Sequence, residues 1–363
     1  MEKIVEKKPL IHRNSNLELY RIIVMFLIVA HHFVVNSGLL TADGPVYSDI
    51  TNWKSIFLLV FGAWGKTGIN CFVLITGFFM CRSKITRGKF LKLLGIYMFY
   101  KIAIYFIFLI SGFSRFNVKQ LILAILPVTS LSHNFTGCFL VFYLLIPFLN
   151  ILINALSKRK YQLLLLILCF VYSILGSIPK FEITFNYVSW FCVIYLIGAY
   201  LRLYPNQYSN NRVLWGWTLF ALLCFAILSI VICTFVPLKL GLSPQPYLLV
   251  SDSNKLLALM LSVASFMFFR NIRMDNSRLI NTIASTTFGV LLIHANSDAM
   301  RQFLWNDLFN NVGMYRSGLL PVLAIGAVIT VFVMCSILDL IRKQAVKFIA
   351  KSPLISWMNH DLT

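Results

Sequence analysis

The chain has 363 residues, of which 59% are hydrophobic and only 12% charged, with a mean hydropathy of +0.81. This lies far outside the soluble range and predicts an all-α, polytopic membrane protein. The formal net charge of +20 would suit nucleic acid only if basic clusters stood on a soluble domain, and no such domain is left over, so no nucleic-acid partner is expected.

Apolar runs long enough to cross a bilayer fall at 18 to 38, 56 to 80, 90 to 111, 136 to 156 and 161 to 178. They continue at 186 to 204, 213 to 236, 254 to 270, 282 to 303 and 318 to 341. About ten transmembrane helices are expected, in one membrane domain over 1–363 with cytoplasmic segments at 1–17 and 342–363. With the N-terminus inside, the inner segments carry 21 Lys and Arg. These are Lys3, Lys7, Lys8, Arg13, Arg82, Lys84, Arg87, Lys89, Lys92, Lys158, Arg159, Lys160, Arg202, Arg212, Arg270, Arg273, Arg278, Arg342, Lys343, Lys347 and Lys351. The outer segments carry 8: Lys54, Arg115, Lys119, Lys180, Lys239, Lys255, Arg301 and Arg316. The positive-inside rule thus accounts for the charge and puts both termini in the cytoplasm. The remaining cations, Arg21, Lys66 and Lys101, lie within apolar runs.

The first run is too long for a signal-peptide core and no small-residue cleavage site follows it, so it is expected to stay as helix one. The eight cysteines show no close pair and no metal-ligand spacing, and read as core or lipid-facing residues. The longest outer connections, near 39 to 55, 112 to 135 and 237 to 253, are too short to fold alone, and 116 to 127 reads as an interfacial helix.

Helix one holds Arg21, His31 and His32, and ionisable groups inside hydrocarbon are costly enough to suggest function. Eleven steps of about 100° return His32 to within roughly 20° of Arg21, about 16 Å further along. The same steps put His31 about 80° away, where it packs against a neighbouring helix. Glu18, one turn before Arg21, partly neutralises it.

The second helix includes Gly65-Lys66-Thr67-Gly68-Ile69-Asn70 and then Thr76-Gly77-Phe78, a density of small and polar residues that suggests cavity lining and close helix approach. Arg82, Lys84 and Arg87 follow. They read either as ordinary inner anchoring or as a dock for a phosphorylated cytosolic molecule. In helix nine, His294 comes to about the depth of His32, roughly 20 Å from the inner face. Two imidazoles at one level suit an acid/base or substrate-orienting pair, although each singly would serve as interhelical packing. No third ligand is evident, so no metal is assigned. Asp298 and Arg301 would stack with His294 on one helix face, leaving Asp298 either to fix the imidazole tautomer or to pair with Arg301.

Together these residues resemble the acyltransferase family 3 membrane enzymes. The resemblance rests on Arg21, ten residues, His32. It extends to Cys71-Phe-Val-Leu-Ile-Thr76-Gly77-Phe78, where many members have serine before the glycine. It includes Thr287-Phe288-Gly289-Val-Leu-Leu-Ile-His294, where many members have tyrosine at the Leu291 position, and Trp190-Phe191 to Tyr195-Leu-Ile-Gly198. It implies an enzyme, an O-acyltransferase moving an acyl group, usually acetyl, from cytosolic acetyl-CoA to a hydroxyl of a cell-surface glycan or lipid-linked oligosaccharide. The donor is a substrate, and no tightly bound cofactor is implied.

His32 would be the catalytic residue, as general base or transient acyl carrier. Arg21 would stand on the donor side, Arg82, Lys84 and Arg87 on the CoA phosphates, and His294 would orient the acceptor or assist proton transfer. Lys66, Asn70, Glu18 and Asp298 would support them. The implied setting is a bacterial plasma membrane, and the implied partners are acyl-CoA, the glycan acceptor and membrane lipids. The sequence leaves the oligomeric state open. Some relatives carry a fused extracellular domain, and none is expected here. The main rival is a transporter or flippase of a glycan, lipid or acyl group, since a polar mid-depth cavity also suits transport.

Overall fold

The structure, a computed structural model, describes residues 14–131, 134–179, 181, 183 and 186–350. Lys3, Lys7, Lys8, Arg13, Lys180 and Lys351 fall outside the described residues, as do most of the segment at 1–17 and the far part of that at 342–363. Within them every regular element is helical. In chain order these are α1 (Ser15–Val35), α2 (Pro45–Ser48), α3 (Trp53–Gly62), α4 (Gly65–Met80), α5 (Arg87–Ile110), α6 (Val118–Ile125), α7 (Phe135–Ala155) and α8 (Lys158–Cys169). They continue with α9 (Tyr187–Leu203), α10 (Arg212–Lys239), α11 (Leu256–Arg270), α12 (Arg278–Ala284), α13 (Thr287–His294), α14 (Asp298–Arg301), α15 (Asn311–Met314) and α16 (Leu320–Ala350).

Among the described residues, six helices are long and apolar enough to cross a membrane, or seven if the bent pair Arg278–His294 and Asp298–Met314 is one span. The expected ten are not reached on that criterion. The runs at 186 to 204 and 254 to 270 form the shorter apolar helices α9 and α11. The run at 161 to 178 passes from α8 into a π-helical stretch at Phe170–Leu175.

Polar residues at the run boundaries start the helices. Side chains of Asn52, Thr86, Asn117, Asn134, Ser157, Asn186, Asn211 and Ser277 each accept from a backbone amide of the first turn. They satisfy N–H groups that have no partner within the helix. The same chemistry redirects the chain after His294. Ser297 caps α14 by accepting from Met300 N, and the chain bends by 100° between Arg278–His294 and Asp298–Met314. The single helix expected over 282 to 303 is therefore broken. At the other end of the chain, α16 continues past the expected limit at 341 to Ala350.

α1 packs against α3, α4, α11, α12, α13 and α16. Tyr20 stacks on Phe269 at 4.9 Å and Phe26 on Phe332 at 4.1 Å. The Asn16 amide donates to the carbonyls of Phe269, Arg270 and Ile272, closing the end of α11. α4 and α9 touch backbone to backbone. A Cβ on Gly77 would strike the Tyr195 carbonyl, and one on Gly198 would strike the Leu74 carbonyl. Gly198→Val is therefore expected to destabilise the bundle by about 3 kcal/mol or more, because no flexible side chain can yield. Ile197→Val, on the same helix but only partly buried, should cost about 1 kcal/mol. Thermal unfolding in detergent compares the two.

A buried ion cluster joins α5 to α16. Asp339, 1% exposed, accepts from Tyr100 Oη at 2.7 Å and from Arg342 Nη2 at 2.7 Å, and lies 2.8 Å from Lys343 Nζ. Gly289 of α13 makes room for it, since a Cβ there would collide with the Asp339 carboxyl.

Candidate active site

Near the end of α1, the starts of α7 and α9, the α3–α4 junction and the segment after α13 enclose a cavity of about 320 Å³. Tyr97 of α5 forms part of its wall. The other polar lining comes from His31, His32, Lys66, Asn134, Thr136, Tyr187, Asn296 and Arg301.

His32 and His294 meet here. His294 is fully buried, with its Nδ1 2.6 Å from the Val290 carbonyl and its Nε2 2.9 Å from His32 Nδ1. A carbonyl only accepts, so His294 Nδ1 carries the proton and donates. In a neutral ring His294 Nε2 is then the acceptor, and His32 Nδ1 is the donor. The neutral His32 therefore has its lone pair on Nε2, which no protein group occupies among the described residues. A backbone carbonyl thus fixes the tautomers of two rings in series. His31 is held similarly, its Nδ1 donating to the Gly62 carbonyl at 2.6 Å while its ring packs on Gly65. It does pack against the neighbouring helix, yet it also borders the cavity.

Lys66 Nζ donates to Tyr187 Oη at 2.7 Å and lies 3.6 Å from Asp252, to which Tyr187 Oη in turn donates at 3.2 Å. A cation in an apolar run needs a counter-charge. Which carboxylate supplies it was not legible, because Asp252 lies far along the chain in an outer connection. Tyr97, Tyr187 and Asp252 were not singled out in the sequence, and Arg301 was seen only as a partner of Asp298.

Other expected site residues stand elsewhere. Asn70 is fully buried and does not line the cavity. Its amide donates to the Ser253 carbonyl at 2.7 Å and its oxygen accepts from Trp190 Nε1 at 2.9 Å, tying α4 to α9 and to the start of α11. Arg21 is not in the cavity wall and pairs with Glu18 at 3.5 Å. Arg82 and Lys84 are exposed on the connection into α5, and Arg87 is exposed at its first residue.

Asp298 does not reach His294. The bend at 295 to 297 turns its carboxylate to solvent, 96% exposed, where it pairs with Arg301 Nη1 at 2.6 Å. Val290, not a carboxylate, sets the tautomer. An exposed pair contributes little, so Asp298→Asn is expected to leave turnover within about threefold of wild type in a steady-state assay. Among the described residues no group of three His, Cys, Asp or Glu is placed to hold a metal ion.

The chain is thus an all-helical, polytopic membrane protein with a hydrogen-bonded imidazole pair on an internal cavity. Its family is acyltransferase family 3: the family profile described as an acyltransferase domain matches residues 14–339. The protein is accordingly a multi-pass membrane acyltransferase. Comparison with curated proteins and with solved structures gives no match.

Proposed function

We propose that this acyltransferase moves an acetyl group from cytosolic acetyl-CoA to a hydroxyl of a cell-surface or lipid-linked glycan at a bacterial plasma membrane. The single observation that carries this is the unoccupied Nε2 of His32 on the cavity, held as a base by His294 and the Val290 carbonyl. As general base, His32 Nε2 takes the proton of the acceptor hydroxyl as its oxygen bonds to the thioester carbonyl carbon. The C–S bond then breaks, and the departing CoA thiolate takes that proton. As acyl carrier, the same nitrogen would itself attack the carbonyl and expel CoA as its thiolate; the acceptor hydroxyl would then take the acyl group from the ring, which leaves as neutral imidazole, and the hydroxyl proton would pass to the thiolate. Both routes need the lone pair on Nε2.

Positive charge gained by His32 is shared with His294 Nε2, which still accepts from Nδ1. That is the part a carboxylate takes in serine-hydrolase triads. The cavity volume, about 320 Å³, lies at the small end of ligand sites and suits a sugar ring with a two-carbon acyl group. Lys66, Tyr187 and Asn296 supply hydrogen bonds to the sugar. Arg21, Arg82, Lys84 and Arg87 belong to the cytosolic side, from which the donor enters.

Turnover of acetyl-CoA by the purified protein in liposomes tests the proposal. CoA release that depends on a glycan acceptor is expected. If no short acyl-CoA is hydrolysed or used as donor, while glycan export fails in cells lacking the protein, the activity is transport instead.

A further inference from the structure

The contact of Gly77 with the Tyr195 carbonyl and of Gly198 with the Leu74 carbonyl has a consequence at the inner end of the bundle. It brings Phe78, one residue after the first glycine, against Arg202, one turn after the second. Phe78 is 2% exposed, and the Arg202 guanidinium lies 4.7 Å from its ring centroid. Arg270, the last residue of α11, lies 5.4 Å from the same ring. Both arginines are half-buried, whereas Arg82, Arg87, Arg273 and Arg278 are exposed.

Among the described residues neither arginine has a carboxylate partner, since the ion pairs there involve Arg21, Lys66, Arg301, Arg342 and Lys343. Arg202 makes no hydrogen bond to them. Arg270 donates only to Asn210 Oδ1 at 3.4 Å and to Met267 Sδ at 3.8 Å. Each arginine sits in the last turn of its helix, where a cation opposes the helix dipole. That explains one arginine at each helix end. It does not explain two that turn inward to share one ring, where like charges repel without an anion to join them.

We propose that Arg202, Arg270 and Phe78 form the phosphate-binding end of the donor site, a reading that rests on acyl-CoA being the donor. Guanidinium groups bind phosphate oxygens in pairs, and the ring fixes both without competing for their N–H groups. The same phosphate chemistry is present in an anionic lipid headgroup, so the membrane composition is varied in the test.

CoA and pantetheine binding is measured by titration calorimetry on the full chain in nanodiscs of phosphatidylcholine, and again with phosphatidylglycerol added. Arg202→Gln and Arg270→Gln are each expected to weaken CoA binding about tenfold in phosphatidylcholine, with the double variant near a hundredfold. Pantetheine has no phosphate and should bind all variants equally, which also shows that they are folded. Arg273→Gln, on the exposed neighbour, should match wild type. Should the glutamine variants fail to fold, Arg202→Lys and Arg270→Lys keep the charge at the helix ends and should still lose several-fold in CoA affinity.

Equal CoA affinity across wild type and variants in phosphatidylcholine would overturn the proposal while leaving the acyltransferase reaction intact. The pair would be a lipid site, and the proposal overturned, if only the weakening of CoA binding by phosphatidylglycerol vanished in the variants. Failure of the wild type to bind CoA in either disc would remove the donor itself and this site with it.

Discussion

On the proposed mechanism His32→Ala is expected to lower acetyl transfer by about 10³-fold while leaving CoA affinity within about twofold, because it removes the nitrogen that would act as base or acyl carrier. His294→Ala should cost about 10²-fold. It leaves His32 in place but frees its ring to adopt either tautomer, so that Nε2 is protonated for part of the time. His294→Gln separates positioning from mere packing. The glutamine amide oxygen can take the place of His294 Nε2 and accept from His32 Nδ1, which should restore about tenfold of the lost rate over alanine. A structural role alone would make alanine and glutamine equivalent in turnover once both proteins are shown to be folded. Single-turnover measurements with acetyl-CoA and acceptor in excess give the comparison directly. Accumulation of an acetylated protein in wild type, absent from His32→Ala, would assign His32 as carrier and not as base.

The second large effect is on the fold. Asp339→Asn should destabilise the protein by about 3 kcal/mol, although the side chain keeps its size. The carboxylate is almost wholly buried and answers two cations, Arg342 at 2.7 Å and Lys343 at 2.8 Å, as well as the Tyr100 hydroxyl at 2.7 Å. Neutralising it leaves both cations facing each other at the α5–α16 contact. Tyr100→Phe removes one hydrogen bond without stranding a charge and should cost only about 1 kcal/mol. Detergent-solubilised protein followed by thermal unfolding should rank wild type, Tyr100→Phe and Asp339→Asn in that order. Equal midpoints would mean that the cluster contributes no net stability.

Among the described residues the ten long apolar runs fold mainly as helix, and Asn or Ser residues at the run boundaries start many of these helices, so the local level of the structure was open to reading. Inside hydrocarbon each backbone group must find its partner within its own segment, and that makes helix formation a property of the segment itself. The periodicity of α1 set His32 apart from His31 and grouped it with Arg21, whereas both histidines border the cavity and Arg21 does not.

The break after His294 is not legible from hydropathy, because it depends on two side chains: Asn296 donates to the Leu292 carbonyl and Ser297 accepts from Met300 N, both competing with helix continuation. Asn70 looked like a cavity residue on the small and polar face of α4, yet its partners, Ser253 and Trp190, come from segments whose approach no local pattern reports.

By itself, then, the sequence determined a helical, multi-pass chain, the order of its motifs, and the presence of histidines at one depth on two helices. Only the tertiary structure decided which polar groups meet: His32 with His294, Lys66 with Tyr187 and Asp252, Asp339 with Tyr100, and two arginines with Phe78. The physical reason lies in how each level is held together. Helices are stabilised by bonds between residues four apart, whereas these partners are separated by whole helices. Their meeting depends on which backbones can approach, and at α4 and α9 that is set by two glycines.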